Sequence, residues 1–257
     1  MRLAIFENIM TPGGHEVEFD RILVEEFRAL GHEVEFYVPE NFSFQFDYQT
    51  PVNRLKGDAV TYTNSRGLKK IFAAAKEKNL HALDAPVTGG DVGAKNATLT
   101  ILVGGEEKDF EILKPVFEVL GKNIVYEGSA GAGQKTKACN QIAIAGALAG
   151  VCEAFAYARA SGLDIEKVYS AISTGAAGSF QMTGVARKGL DGDFNPGFML
   201  KHFGKDLSIG LETATAYGKS LPILATVLHE VKKLEESGSG SEGTQALLKY
   251  YGVIGNY

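Results

Sequence analysis

Gly131-Ala132-Gly133-Gln134-Lys135-Thr136-Lys137-Ala138-Cys139-Asn140-Gln141 is the stretch at which the chain changes character. Before it, short runs rich in β-branched and aromatic residues alternate with helical periodicity, the pattern of βαβ units around a mostly parallel sheet. After it the β signals almost vanish and helical patterns follow one another. This reading divides the chain into an α/β domain over residues 1–130 and an all-helical domain over residues 131–257.

Upstream of the junction the spacing predicts strands at 3–6, 33–38, 59–62, 81–86, 98–103 and 123–126, with helices at 68–78 and 108–120. Pro12-Gly13-Gly14 breaks the chain ahead of a further helix, in which Phe19, Leu23, Phe27 and Leu30 recur at intervals of three and four and which Gly31 closes. Downstream, helices are expected at about 134–161, 164–173, 178–190, 204–217, 222–236 and 244–251. Between the last two, Ser237-Gly238-Ser239-Gly240-Ser241-Glu242-Gly243 has the composition of a flexible linker, or more modestly of a surface loop.

The 257 residues carry 26 Lys plus Arg against 31 Asp plus Glu, a net charge of −5, with 45% apolar and 22% charged residues. That is ordinary globular composition, enough for one large or two modest domains. A mildly acidic chain with no basic run lacks the electrostatic footprint of a nucleic-acid or anionic-lipid partner, so small-molecule chemistry is the default. The longest uninterrupted apolar run, 142–152, is mostly Ala and Gly and shorter than the roughly 18 residues of a membrane span, so no bilayer crossing is expected. The start, Met1-Arg2-Leu3-Ala4-Ile5-Phe6, turns polar at once and predicts neither a secretory nor a transit segment. Cys139 and Cys152 have no partner motif and read as small core residues of a reducing cytoplasm. His15, His32, His81, His202 and His229 have no metal or triad spacing, and no metal is expected.

Three short motifs can carry chemistry. In Asp84-Ala85-Pro86-Val87-Thr88-Gly89-Gly90 a strand ends in a hydroxyl and two glycines, whose backbone N–H groups can approach a carboxylate. The same Thr-Gly-Gly also serves as a plain turn. In the junction stretch, Gln134, Lys137, Asn140 and Gln141 line one helical face. A lysine near a helix N-terminus is disfavoured by the dipole, which suits either a working lysine or a solvated first turn. In the third motif, Phe198-Met-Leu-Lys-His-Phe-Gly-Lys205-Asp206-Leu207, the pair Lys205-Asp206 reads alone as surface charges at a helix start.

Taken together, from about Leu68 to Val253, these motifs resemble the β-hydroxyacid dehydrogenase family, the group of 3-hydroxyisobutyrate dehydrogenase and tartronate semialdehyde reductase. Gly93-Ala94, Thr98-Leu99, Gly175-Ala-Ala-Gly-Ser179 and Asp191-Gly-Asp-Phe-Asn-Pro-Gly-Phe198 extend the match. The resemblance implies an incomplete Rossmann-like domain followed by an all-α domain like the C-terminal part of 6-phosphogluconate dehydrogenase. It implies hydride transfer between NAD or NADP and a small 3-hydroxy acid or its semialdehyde. By the same resemblance Thr88, Gly89 and Gly90 hold the substrate carboxylate, Lys137 is the acid/base, and Asn140 touches substrate. Lys205 lies against the nicotinamide and helps to lower the basicity of Lys137, and the chain forms a homodimer or homotetramer.

The N-terminus departs from that family. Its first turn, Phe6-Glu-Asn-Ile-Met-Thr-Pro-Gly13-Gly14-His-Glu16, has no G-x-G-x-x-G fingerprint, although Gly13 and Gly14 still offer N–H groups to a pyrophosphate. Glu40, after the second strand, is the residue placed to accept from a ribose hydroxyl and to repel a 2′-phosphate, favouring NAD. It also reads as a solvated loop carboxylate. Residues 1–65 resemble instead the start of a GT-B glycosyltransferase, through Pro12-Gly13-Gly14-His15-Glu16 and Gly31-His32-Glu33-Val34. The chain therefore reads as a chimera with a seam near Ser65 to Ala75. Its rival functions are a helical dimerisation module with a relic site, and sugar-nucleotide binding by the N-terminal segment.

Overall fold

The computed structural model describes residues 2–6, 24–25, 28–29, 31, 33–39, 51–55 and 65–254. By contacts the chain divides into two compact units, Met1–Lys137 and Ala138–Tyr257. Gly13, Gly14 and Glu40, the strand expected at 59–62 and most of the helix expected before Gly31 lie outside the described residues.

In the first unit β1 (Arg2–Phe6) pairs in parallel with β2 (Glu33–Pro39), and β2 with β3 (Val52–Leu55), giving a sheet of order β1-β2-β3. Alternation fixes the faces of β2: Val34 and Phe36 are buried, while Glu33 is exposed. The short polar segment Val52-Asn53-Arg54-Leu55 carries no strand signal of its own. It is extended because β2 supplies its partners, Phe36 facing Val52 and Val38 facing Arg54.

A second sheet centres on β6 (Leu99–Gly105), which is buried along nearly its whole length, as a strand covered on both faces must be. β7 (Gly121–Gly128) runs parallel to it, joined through helix α3 (Glu107–Leu120), and Phe110, Val116, Phe117 and Leu120 of that helix pack on β6. In place of the single strand expected at 81–86, residues 83–88 form β4 (Leu83–Asp84) and β5 (Val87–Thr88), both antiparallel to β6. The parallel expectation thus describes β1-β2-β3 and β6-β7, and this segment departs from it. The reason is length: Gly89–Thr98, with the short helix α2 (Gly90–Lys95), is too little chain for a crossover to a parallel partner. Pro86 is tolerated on the edge because β6 needs only its carbonyl there, which accepts from the Leu102 N–H at 2.9 Å. Helix α1 (Ser65–Glu77) precedes β4.

The second unit is helical. It contains most of α4 (Ala132–Ala160), followed by α5 (Ile165–Ile172), a π-helical turn at Gln181–Ala186 continuing into α6 (Arg187–Leu190), α7 (Leu200–Ala216), α8 (Pro222–Glu236) and α9 (Leu247–Tyr250). Its core is built from Leu148, Cys152 and Phe155 of α4, Leu200, Phe203 and Leu207 of α7, Leu224, Val231 and Leu234 of α8, and Leu247 and Leu248 of α9. Asp164 caps α5 by accepting from the Glu166 and Lys167 N–H groups, and Pro222 opens α8 where its missing N–H costs nothing. The expected helix at 178–190 starts with π rather than α hydrogen bonding, with the Phe180 ring seated over Gly184, where a Cβ would come within 2.8 Å.

Several expectations are corrected here. Cys152 is a core residue, its thiol pushed far up by burial and then by Glu230 and Glu153, but Cys139 is exposed. The stretch 237–243 is not a flexible linker: Ser239–Ser241 is a 3₁₀ turn, Glu242 O accepts from Leu200 N at 2.8 Å, and Gly243 N donates to Phe194 O at 2.9 Å. Composition reports freedom without partners, and here the partners exist. Helix α4 is long and apolar enough to cross a membrane by length and composition, with a mean hydropathy of 1.4 over its best 18-residue window, 44% of it buried. Its buried side is the core of the helical unit.

Candidate active site

In the first unit the Thr-Gly-Gly loop and the lysine come together. Gly89 and Gly90 adopt φ of +132° and +61°, conformations that L side chains rarely take, so the turn after Thr88 depends on both glycines. It packs on Leu99, which stands 3.1 Å from where a Cβ of Gly89 would lie. Lys137 Nζ donates to the carbonyl of Val87 at 2.9 Å, next to Thr88 in the chain. The lysine is therefore directed at the strand end rather than at open solvent.

What brings it there is a buried carboxylate. Asp84 on β4 is 5% exposed, and its two oxygens accept from the N–H groups of Gly131 at 2.6 Å and Gln134 at 2.9 Å, at the start of α4. These are amides that no helical carbonyl can satisfy, and a carboxylate also complements the helix dipole. The close approach requires glycines. A Cβ on Gly133 would lie 2.2 Å from Leu102 O, and one on Gly104 would lie 2.6 Å from Asp84 Oδ1 and 2.8 Å from Gly133 N.

In the second unit Asn140 and Lys205 end one hydrogen-bonded chain. Asn140 Nδ2 donates to Gln141 Oε1 at 2.9 Å, and Gln141 Nε2 donates to Asp206 Oδ2 at 2.9 Å. Asp206 Oδ1 in turn pairs with Lys205 Nζ at 3.1 Å. Gln141 is 3% exposed, so its amide needs both partners. The reading of Lys205-Asp206 as surface charges is thereby corrected: α7 begins at Leu200, a turn earlier than expected, and this places Asp206 against Gln141.

Asp84, Gly104, Gly133, Gln141 and Asp206 were not singled out for these roles by sequence. The signals were present only as a strand carboxylate beside a motif, a Gly-Gly at a strand end and an amide on the lysine face. Of the residues expected to hold a dinucleotide, Lys205 alone is described, and its setting fits a nicotinamide. The ammonium would offer donors to a carboxamide, and Asp206 would offset its charge beside a ring that is cationic when oxidised. Among the described residues no group of three or more His, Cys, Asp or Glu could hold a metal ion.

Comparison with known proteins follows the same division. Residues 59–128 match the family described as the NAD binding domain of 6-phosphogluconate dehydrogenase, and residues 131–251 match NAD-binding of NADP-dependent 3-hydroxyisobutyrate dehydrogenase. An uncharacterized oxidoreductase of Bacillus subtilis, YkwC, is 52% identical over 183 residues, 71% of this chain and 64% of the relative. The 2-hydroxy-3-oxopropionate reductase of Escherichia coli is 38% identical over 189 residues, 74% of this chain and 65% of the relative. The chain therefore spans less than two thirds of the length of these relatives. In fold, a 3-hydroxyisobutyrate dehydrogenase of Mycobacterium tuberculosis, solved with L-serine, superposes with a TM-score of 0.76 at 22% identity, covering 96% of this chain and 98% of that one. Over residues 59–251 the chain is thus similar, in order, to the NAD-binding families of 6-phosphogluconate dehydrogenase and of 3-hydroxyisobutyrate dehydrogenase.

Proposed function

We propose that the protein transfers a hydride between NAD or NADP and a small 3-hydroxy acid or its semialdehyde, with Lys137 as the acid/base. The observation that carries this reading is the 2.9 Å bond from Lys137 Nζ to Val87 O, one residue before Thr88-Gly89-Gly90. An ammonium and a glycine turn so close suit a substrate whose hydroxyl and carboxylate are only a few bonds apart. The Val87 carbonyl accepts a hydrogen bond from the ammonium and so orients it. In oxidation the neutral amine takes the proton of the substrate hydroxyl, and in reduction the ammonium returns it to the carbonyl oxygen. A free lysine titrates near 10.4, so the reaction needs surroundings that favour the amine. By the family resemblance Asn140, bonded to Gln141, would contact substrate, and Lys205, paired with Asp206, would hold the nicotinamide, which would supply or accept the hydride. The 2-hydroxy-3-oxopropionate reductase among the relatives supports this substrate class.

Oxidation of a panel of 3-hydroxy acids, followed by nicotinamide fluorescence, tests the reading directly, and a flat response to every acid with both cofactors removes it. In the same panel Gly89→Val is expected to raise KM or abolish binding while the helical unit stays folded, because valine cannot hold φ at +132°. An unchanged KM would reduce Thr88-Gly89-Gly90 to a plain turn.

The chimeric reading of residues 1–65 belongs to this proposal, and it is supported by the family match beginning only at residue 59. With no glycine fingerprint in the first turn, binding of either dinucleotide is weak, and Glu40 makes NAD the better of the two. Titration with NADH and NADPH checks both points, since tight NADPH binding contradicts each. A homodimer or homotetramer completes the assignment: Ala143, Ala147 and Gly150 leave small residues of α4 exposed, and the large Tyr157 is exposed further along the same helix. Light scattering at micromolar concentration is expected to give at least twice the 27.5 kDa chain mass, and a monomer removes this part.

A further inference from the structure

We propose that Asp84 is a positioning residue for proton transfer, its buried carboxylate fixing the first turn of α4 so that Lys137 is held against Val87. The inference rests on the reading of Lys137 as the acid/base, and it assigns a role to a residue two positions ahead of the substrate loop's Pro-Val-Thr.

Three observations converge on this one side chain. Both carboxylate oxygens are committed, at 2.6 Å and 2.9 Å, to backbone N–H groups of Gly131 and Gln134. A charge-assisted pair of this kind is stronger than a neutral acceptor could offer, and a buried carboxylate without it would be strongly disfavoured. Space around it is cleared from two distant parts of the chain, since a Cβ on Gly104 would stand 2.6 Å from Oδ1 and one on Gly133 2.9 Å from Oδ2. Finally, Asp84 and Val87 lie on one antiparallel run along β6, with Asp84 opposite Gly104 and Val87 opposite Ile101. One backbone segment thus grips α4 twice, at its N-terminus through Asp84 and one turn later through Lys137 Nζ on Val87 O.

The carboxylate has an electrostatic consequence as well. The partial positive charge of a helix N-terminus works against an ammonium in its first turns, and an anion at the cap opposes that effect. Asp84 therefore favours the protonated lysine relative to a neutral residue at the same place, which is opposite to what oxidation needs, so the loss of rate expected on its removal comes from position and not from charge. Position and charge act through the same two hydrogen bonds, so a variant that keeps the shape and loses the charge separates them from simple space filling.

The test compares the wild-type chain with Asp84→Asn and Asp84→Ser. Two quantities are measured: steady-state kinetics with the preferred hydroxy acid, and the titration of the Lys137 side chain by NMR of ¹³Cε-labelled lysine, assigned with Lys137→Arg. The expected result is a 10- to 100-fold lower kcat with KM changed less than about threefold, the scale on which a misplacement of about 1 Å acts. The Lys137 midpoint moves to lower pH in both variants. An unchanged kcat together with an unchanged Lys137 midpoint overturns the proposal and leaves Asp84 as a structural cap, as does the failure of both variants to fold. If the wild-type chain oxidises no hydroxy acid, the functional reading is what has failed, and the Lys137 midpoint alone still decides whether Asp84 governs the lysine.

Discussion

Replacing Lys137 with alanine is expected to lower kcat by about 10² to 10⁴, the usual worth of a positioned proton donor, with little change in KM for the acid. The bond from Nζ to the Val87 carbonyl is worth about 1 kcal/mol net, so the expected change in rate exceeds what that bond adds to stability. Lys137→Arg separates charge from proton transfer. A guanidinium keeps the cation and can still reach Val87 O, but it does not lose its proton near neutral pH, so it leaves KM little changed without restoring turnover. Stopped-flow measurement of the chemical step checks both variants. Full turnover by the alanine variant would remove Lys137 from the reaction and transfer the acid/base role to another group.

The second large effect concerns Gly133→Ala, where two rules of thumb oppose each other. In a helix, alanine in place of glycine is ordinarily stabilising by about 0.5 to 1 kcal/mol. Here the added Cβ would lie 2.2 Å from Leu102 O and 3.0 Å from Asp84 O, both backbone atoms that cannot swing aside. The helix start must lift away from β6, which costs about 1 to 3 kcal/mol as overpacking and stretches both bonds to Asp84. The clash wins. For a chain of this size the expected fall in Tm is roughly 2 to 4 °C per kcal/mol. Because Lys137 rides on the same helix one turn on, kcat falls by about 10² as well, the scale of a displacement near 1 Å. Thermal denaturation and kinetics of one preparation read both quantities. A variant as stable and active as the wild type would mean that β6 and α4 can separate at no cost, contrary to the packing of Gly104 and Gly133.

The helical unit was nearly all legible in the sequence. Apolar residues of α4, α7 and α8 recur at three and four because each helix buries one face in the same core, and Pro222 and Asp164 mark starts by chemistry that acts within a single turn. The strands at 33–39, 99–105 and 121–128 were legible for a similar reason, as β-branched runs between breaks. Family resemblance carried the reading further, to Lys137, Thr88, Gly89 and Gly90, which the fold then brought together. The direction of residues 83–88 was not legible, because alternation says which side chains face inward and nothing about which way the neighbouring strand runs. Val52–Leu55 was missed because its extended form is imposed by β2.

The sequence by itself determined where helix replaces strand, which faces are buried and which short motifs carry polar groups, since each of these is settled by residues a few positions apart. Only the tertiary structure decided that Asp84 would cap a helix beginning 48 residues later, that Gly104 and Gly133 would stand back for it, and that Asp206 would turn from an apparent surface charge into the link between Gln141 and Lys205. Those contacts join positions far apart in the chain, and no local pattern marks them. A buried carboxylate or amide is stable only where its partners arrive with it, and the fold alone delivers them.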